Sequence, residues 1–568
     1  MLMKSIFPIV HSLKSYSKAW IKGDFSAGLV VGIMLIPQGM AYAMIAGLPP
    51  IYGLYTAIIP TIIYSLLGSS RHVSVGPVAM DSLILIAGAS AFATVGSDEY
   101  IAVVISITFI VGGLQFAMGC LRLGFIANFL SKPVIMGFTF AAAIIISLKQ
   151  LKYLLGISPV AGIGLLEELI FYATHLTESH LPTLLVALAS LALLVFGKRI
   201  SSKIPMSILV VVMGVVIAYL AELGEWGVSL VGELPGGLPR FSVPNLVELP
   251  ILEYLPLAIT LSLMGFVEIY SIGKRLQSKH KSEYEIDANR ELVGLGIANI
   301  MGSFFKAFPA TASFSRSAVN ESTGAKTGLA SIISAVIVIM TLLFLMPIFK
   351  FLPHAVLGAI IFVAVLGLID LKFAKNLWQN DKYDFIMLAA SFLGTLILGI
   401  QWGIAFGICI SLVVLVYKTT LPHMAVLGRV DGTSYFRNLD RFESAINDPL
   451  VGILRFDARL FFANVSSFRT KIEHMVSEKP RMKKMVLDAQ SMIDVDFSGI
   501  EGLEDIVIFL EAKGIEFKMV HIIGPVRDKL FKTGLIQKIG LNNIHDCIDD
   551  ALTDKQDKTK LIYQTNLK

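Results

Sequence analysis

Residues 308–327 read FPATASFSRSAVNESTGAKT and interrupt a chain of long apolar runs with Ser, Thr, Gly, Ala and one arginine. Hydrocarbon cannot hydrogen-bond an exposed backbone, so such a stretch at membrane depth must be shielded by protein or line a cavity. Pro309 breaks the chain, and residues 313–320 can then begin a new helix in mid-membrane. The start of that helix offers unpaired N–H groups and partial positive charge beside Arg316, which suits an anion. The alternative is a loop outside the membrane between two spans.

The composition points to a membrane protein. Of 568 residues, 55% are hydrophobic and only 16% are charged, and the mean hydropathy is +0.74. A soluble protein of this size could not hide so much apolar surface. The net charge of +5 does not indicate nucleic-acid binding, because the Lys and Arg residues are scattered through short loops. We expect no metal, cofactor or enzymatic activity, because the three cysteines form no ligand pattern and no nucleophile–base pair is evident.

Apolar segments long enough to span or half-span a bilayer recur through residues 25–420, which we read as the transmembrane domain. Lysine and arginine concentrate in alternate loops, and acidic residues occupy most of the others. The positive-inside rule then places both termini in the cytoplasm, with residues 1–24 as an amphipathic lead-in on the membrane surface. The fourteen segments are 25–46, 51–68, 76–91, 101–119, 130–150, 181–197, 205–222, 254–273, 290–305, 313–321, 327–349, 354–370, 384–400 and 402–419.

The third and tenth segments are unusually short. Each follows a brief extended run and a Gly or Pro breaker, Gly76 and Pro77 in one case and Pro309 in the other. Their positions match if the domain consists of two halves of seven segments, and an odd number per half requires the halves to be inverted. Paired broken helices in inverted halves predict the binding site of a transporter.

Two acidic side chains lie within predicted spans. An ionisable residue there costs about 2.5–3.5 kcal/mol on insertion scales, so Glu268 should face a cavity or pair with another group. We interpret Glu268 as a coupling-ion site that takes a proton or Na⁺, or that neutralises Arg316; the alternative is that its carboxylate reaches water. For Asp81, a functional role and a structural hydrogen bond are equally compatible with the sequence.

Gln38 and Tyr42 lie one helical turn apart, beside a helix breaker at Pro37. Their spacing places both side chains on one face of the first helix. They can line the substrate cavity, or Pro37 and Gly39 can kink a helix that Gln38 then staples.

After residue 418 the pattern changes to short strands alternating with helices, which predicts a small α/β domain over residues 430–552. The strands are predicted at 451–456, 484–488 and 516–520, and the helices near 464–478, 498–513 and 525–533. Ser498 is expected to cap its helix, and a phosphate there would also be favoured by the helix dipole. Residues 553–568 form a polar tail.

The chain resembles the SulP sulfate permease and anion exchanger family with its C-terminal STAS domain. The motifs that carry the resemblance are IPQGMAYA at 36–43, LPPIYGLY at 48–55, DANRELVGLGIAN at 287–299, FPAT at 308–311 and SFSRSAVN at 313–320.

The resemblance implies a seven-plus-seven inverted repeat divided into a core, or transport, domain and a gate, or scaffold, domain. Family members hold an anion between the facing starts of the third and tenth helices, and Glu268 matches an acidic residue implicated in cation coupling or in pairing with the arginine. Ser498 matches a phosphorylated serine of related STAS-like proteins, although Phe497 replaces the serine before it. The substrate-binding residues implied are Gln38, Tyr42, Val75, Gly76, Pro77, Val78, Ala79, Ser313, Phe314, Ser315 and Arg316.

The expected function is secondary active anion transport, with sulfate uptake by proton symport or anion exchange through an elevator-like movement of the core domain. The alternatives are a bicarbonate or C4-dicarboxylate transporter coupled to Na⁺ or H⁺, or an uncoupled anion channel or exchanger. We expect a homodimer in the plasma membrane or a bacterial inner membrane, with the lipid bilayer, an inorganic anion and H⁺ or Na⁺ as its partners and no nucleic acid.

Overall fold

The computed structural model describes residues 16–129, 131–159, 164–200, 206–233, 236–244, 251–280 and 284–553. Most of the predicted N-terminal lead-in, up to residue 15, and the polar tail from residue 554 therefore lie outside the described residues. The chain divides into two compact units, the first ending at Leu412 and the second beginning at Val413.

The first unit is helical, and six of its described helical stretches are long and apolar enough to cross a membrane. Its helices are α1 (Lys18–Ile45), α2 (Ile51–Thr56), α3 (Ile59–Leu67), α4 (Ala79–Ala89), α5 (Asp98–Cys120), α6 (Lys132–Leu155), α7 (Leu165–Thr174), α8 (Leu181–Ile200), α9 (Met206–Leu220), α10 (Ile251–Lys279), α11 (Ala288–Ser303), α12 (Phe314–Ser322), α13 (Leu329–Met340), α14 (Met346–Phe349), α15 (His354–Leu366), α16 (Leu371–Asn380), α17 (Lys382–Leu398) and α18 (Ile400–Thr420), the last of which continues into the second unit.

These helices occupy the fourteen predicted segments in order, except α7 and α16, which lie between predicted segments. The second segment is the pair α2 and α3, and the eleventh joins α13 to α14 through a π-helical turn at Thr341–Leu345. The third and tenth begin with two-residue strands, β1 (Val75–Gly76) before α4 and β2 (Thr311–Ala312) before α12. The prediction of a polytopic helical membrane protein with two broken segments is confirmed.

The helices of the first unit pack in two groups. In one, α11 packs against α3 and α5, α13 against α1 and α3, and α10 against α4 and α5. In the other, α6 packs against α15 and α17, and α8 packs against α9 and α15. Contacts between the groups include those of α1 with α9 and α15. The first group, which holds both broken segments, corresponds to the core domain expected above, and the second corresponds to the gate domain.

Close helix approach in the first group depends on glycine. A Cβ added to Gly53 of α2 would lie 1.8 Å from the carbonyl oxygen of Gly39 in α1. Any side chain at this position would therefore collide with backbone. This contact packs the Gln38 turn of α1 tightly against α2.

The second unit is an α/β domain, as predicted. Its strands are β3 (Met424–Val430), β4 (Phe436–Asn438), β5 (Ala445–Ile446), β6 (Val451–Phe456), β7 (Lys484–Asp488), β8 (Glu516–Val520) and β9 (Ile544–His545), and its helices after α18 are α19 (Val465–Glu478), α20 (Phe497–Ala512), α21 (Gly524–Lys532), α22 (Leu535–Ile539) and α23 (Ile548–Thr553).

The sheet order is β4-β3-β6-β7-β8-β9, with β6 to β9 parallel and β3 antiparallel to β6. The three predicted strands are therefore its centre. The sheet also includes β3, which begins at Met424, upstream of the boundary predicted at residue 430.

Candidate anion-binding site

The two broken segments meet at a short antiparallel ladder. Val75 pairs with Ala312, and Gly76 pairs with Thr311. The ladder extends by one bond, in which the Ser313 N–H donates to the Ser74 carbonyl oxygen over 3.1 Å. Because each strand runs directly into a helix, the antiparallel pairing makes α4 and α12 begin beside each other and leave in opposite directions.

Polar side chains from neighbouring helices hold this ladder in the apolar interior. The Thr61 hydroxyl of α3 donates to the Val75 carbonyl over 2.9 Å, and the Thr311 hydroxyl donates to the Gly265 carbonyl of α10 over 2.8 Å. Backbone groups of irregular segments need such partners where water is absent. Further bonds of this kind join Ser74 N to Ser317 Oγ (3.0 Å), Asn320 Nδ2 to His72 O (2.9 Å) and Ala310 N to Asn299 Oδ1 (2.8 Å).

Arg316 is fully buried in the first turn of α12. Its Nη1 donates to the Pro77 carbonyl oxygen over 2.9 Å, which ties α12 to the start of α4. Its Nε and Nη2 atoms have no hydrogen-bond partner among the residues that the structure describes. A buried guanidinium with unused donors can bind an acceptor-only ligand such as an oxyanion.

Gly76 makes room for this arginine. Its φ of +153° is rarely adopted by residues with a side chain, and a Cβ there would lie 3.3 Å from Arg316 Nη2. The glycine therefore has a backbone and a steric role beside the guanidinium.

The two helix starts differ in their caps. The Ser313 hydroxyl accepts the Arg316 backbone N–H at the start of α12, over 3.5 Å. At α4 the capping residue is Val78, whose side chain offers no acceptor. The first N–H groups of a helix have no intrahelical partner, so both starts present donors, and the α4 start has no side-chain cap.

The structure brings most of the predicted substrate-binding residues to this place. Pro77, Val78 and Ala79 are buried at the α4 start. Phe314 and Ser315 begin α12 with exposed side chains, and the Ser315 hydroxyl lies 3.3 Å from that of Ser313. Val75 is also present, but its side chain packs in an apolar cluster, so only its backbone belongs to the ladder.

Gln38 and Tyr42 are both buried on α1, which packs against α4 and α12. Within the described part of the chain, the Gln38 side-chain oxygen has no hydrogen-bond partner. Helix α1 also continues through Pro37 to Ile45. No bond from this oxygen staples a kinked helix, which leaves the atom available to the site.

Glu268 lies half-buried on α10, and its Oε2 atom has no hydrogen-bond partner. Asp81 is 2% exposed in the first turn of α4, and its Oδ1 atom likewise has none. Both of these atoms of Glu268 and Asp81 lack the structural hydrogen bond that a buried carboxylate needs. Helix α10, which carries Glu268, packs against α4, which carries Asp81, and against α12, which carries Arg316. Arg316 donates through Nη1 to the Pro77 carbonyl, and its Nε and Nη2 atoms make no hydrogen bond to Glu268.

Sequence reasoning missed two buried carboxylates that brace the same helix group. Glu291 of α11 accepts bonds from the Tyr64 hydroxyl (2.6 Å) and from the Ser69 N–H (2.8 Å) and hydroxyl (2.5 Å). Asp24 of α1 accepts from the Thr327 N–H (3.0 Å) and hydroxyl (2.7 Å), just before α13. Their signal was the one used for Glu268, an acidic residue within or beside an apolar run.

In the second unit, the prediction that Ser498 caps its helix is wrong. The cap is Asp496, whose carboxylate accepts the Gly499 N–H over 2.7 Å, and Ser498 lies within the first turn of α20. A carboxylate at this position is both an acceptor and a charge favoured by the helix dipole. The phosphorylation of Ser498 stays a prediction.

A model of the sulfate permease family matches residues 21–391. The chain belongs to this family. A STAS domain model matches residues 441–551, so the family resemblance inferred from the motifs is confirmed over both parts of the chain. As a member of this family, the chain is a membrane anion transporter.

Curated relatives cover almost the whole chain. Probable sulfate transporter 4.2 of Arabidopsis thaliana is 35% identical over 567 residues, which are 96% of this chain and 83% of that protein. Sulfate transporter 4.1, chloroplastic, of the same plant is 35% identical over 574 residues, with the same coverage. High affinity sulfate transporter 2 of Stylosanthes hamata is 31% identical and covers 98% of this chain and 87% of its own length.

Solved structures support the fold. The overall structure of SLC26A9 superimposes with a TM-score of 0.88 and 26% identity, covering 100% of this chain and 95% of that one. The transmembrane domain of the cyanobacterial bicarbonate transporter BicA gives a TM-score of 0.60 with 22% identity, covering 70% of this chain and 97% of that one. The latter similarity shows a shared fold only.

Proposed function

We propose that the protein is a secondary active sulfate transporter that takes up sulfate together with protons. The observation that carries the proposal is the fully buried Arg316, which has two nitrogen atoms without a partner beside two helix starts. Three of the relatives described above are named as sulfate transporters, which supports sulfate as the anion.

The chemistry of sulfate matches the donors available. A dianion is costly to dehydrate, so its site must replace water with directed N–H and O–H groups and positive charge. Arg316 supplies the charge and retains it at any working pH. The backbone N–H groups at the α4 and α12 starts and the Ser315 hydroxyl supply further donors, while Gln38 and Tyr42 close the side formed by α1.

Glu268 is the group proposed to couple uptake to the proton gradient. Its carboxylate has an unpaired oxygen, and its helix, α10, packs against α12, which carries Arg316. Protonation removes a negative charge from the site as the anion enters, so the proton and the sulfate favour each other's binding. Deprotonation on the other side then favours release.

The packing supports an elevator-like movement. The proposed ligands lie on α1, α4, α10 and α12, all of which pack in the core group. The core can therefore carry a bound anion past the gate group without taking the site apart. We further propose a homodimer in the plasma membrane or a bacterial inner membrane with both termini in the cytoplasm, which cell fractionation and cross-linking would test.

Uptake into proteoliposomes tests the function. Radiolabelled sulfate should accumulate above equilibrium when the outside is acidic, and bicarbonate, C4-dicarboxylates and chloride should compete weakly. With Glu268→Gln, we expect sulfate exchange across the membrane to survive and accumulation driven by the pH gradient to fall, because the titrating group is lost while its shape is kept.

Two other outcomes would support a different transport mechanism. Accumulation that follows a Na⁺ gradient at equal pH would mean sodium coupling. Uptake that never exceeds equilibrium under either gradient would mean an uncoupled channel or exchanger.

A further inference from the structure

A second buried carboxylate lies beside the proposed coupling residue. Asp81 is 2% exposed, and its Oδ1 atom has no hydrogen-bond partner. Its helix, α4, packs against α10, which carries Glu268, and against α1, which carries Tyr42. The titratable and charged groups at this place are Asp81, Glu268, Tyr42 and Arg316, whose Nη1 donates to the Pro77 carbonyl at the start of α4.

Hydrogen bonding within the described residues does not account for the burial of the Asp81 carboxylate, because its Oδ1 atom has no partner there. A structural carboxylate in the same domain is saturated with donors, as Glu291 is by Tyr64 and Ser69. Asp81 instead leaves Oδ1 unpaired on a helix that packs against the helix of Glu268. Two ionised carboxylates in one buried cluster repel each other, which is unfavourable. Such an oxygen is suited to a proton.

Counting formal charges shows what a second proton would do. When the site is empty and both carboxylates are ionised, one arginine and two carboxylates give one net negative charge. When sulfate is bound and both carboxylates are protonated, one arginine and one dianion again give one net negative charge. The core would therefore carry the same charge in both directions.

We propose that Asp81 is a second coupling-proton site, so that each sulfate crosses with two protons and the complete cycle is electroneutral. This inference rests on the proposed function. With Glu268 as the sole proton carrier, one negative charge would enter with each sulfate.

The test is the response of sulfate accumulation to voltage and pH in proteoliposomes of the full-length protein. With a pH gradient of one unit and no voltage, two protons support a roughly hundredfold accumulation, and one proton supports roughly tenfold. An inside-negative potential of about 60 mV should leave accumulation by the unsubstituted protein unchanged. It should lower accumulation by an Asp81→Asn variant about tenfold, because one uncompensated charge then moves.

Asp98→Asn is the matched control, because Asp98 is exposed in the first turn of α5. It should behave as the unsubstituted protein. The voltage response of the unsubstituted protein needs no variant, so voltage-sensitive accumulation overturns the proposal even if Asp81→Asn does not fold. Voltage-sensitive accumulation with one proton per sulfate, or an Asp81→Asn variant that still moves two protons, would overturn the assignment. Absence of any coupled sulfate uptake by the unsubstituted protein would instead overturn the proposed function on which it rests.

Discussion

Replacing Arg316 should weaken sulfate binding by a predictable amount. In the structure, Arg316 uses Nη1 to bind the Pro77 carbonyl and leaves Nε and Nη2 unpaired. A hydrogen bond to a charged group contributes about 1.5–3 kcal/mol. Losing one such bond to a sulfate oxygen should therefore raise the Kd for sulfate roughly ten- to a hundredfold in Arg316→Ala.

Two further variants separate charge from geometry. Arg316→Lys keeps a positive charge but lacks the planar fork that can bind Pro77 and an oxyanion together. Its affinity for sulfate should therefore lie between those of the unsubstituted protein and Arg316→Ala. Ser315→Ala removes one neutral, exposed donor and should cost about 0.5–1.5 kcal/mol.

The assay is equilibrium binding of radiolabelled sulfate to purified protein in detergent, with size-exclusion chromatography and melting curves to establish folding. The double variant Arg316→Ala with Glu268→Gln tests whether the two side chains mainly neutralise each other. If Arg316 binds the anion, the double variant should still bind sulfate far more weakly than the unsubstituted protein. A folded Arg316→Ala protein with unchanged sulfate affinity would refute the reasoning.

The remaining predictions concern stability. Gly53→Ala should lower the melting temperature, since its Cβ would lie 1.8 Å from the Gly39 carbonyl and such overpacking typically costs about 1–3 kcal/mol; Gly113→Ala, whose Cβ meets nothing within 4 Å, should not. His521 Nδ1 lies 2.9 Å from Asp488 Oδ1, and this bond raises the pKa of His521 above 6.5. Its contribution to stability should be full below pH 6.5 and lost as the pH rises through the raised pKa. The protection of the β7 and β8 amides against hydrogen exchange, relative to the intrinsic exchange rate at each pH, should fall over that range. His521→Gln should remove this fall.

Much of the fold was predictable, because a bilayer requires apolar segments that are visible as local patterns in the sequence. Apolar runs set the fourteen segments, and the breakers at Gly76, Pro77 and Pro309 marked the two that begin inside the membrane. The α/β domain followed from alternating strands and helices. Strand β3 was not predicted, because it directly follows a transmembrane helix and its pairing with β6 is a long-range contact.

The candidate site was predictable in its membership and less so in its bonds. Motif and residue type brought Arg316, Gln38 and Glu268 together before the fold was known. The Arg316 bond to a carbonyl 239 positions away could not be read from the sequence, because it depends on the pairing of β1 and β2. Ser498 was misassigned as a cap because the neighbouring Asp496 is an equally good acceptor in a better position.

The position of the bound anion tests the central claim most directly. Selenate has the shape and charge of sulfate, and its selenium atom can be located by anomalous scattering in crystals of the protein. We predict one selenium position that places selenate oxygens within hydrogen-bond distance of Arg316 and of the backbone N–H groups that begin α4 and α12. Selenium bound elsewhere in the membrane domain, with no contact to either helix start, would contradict the account.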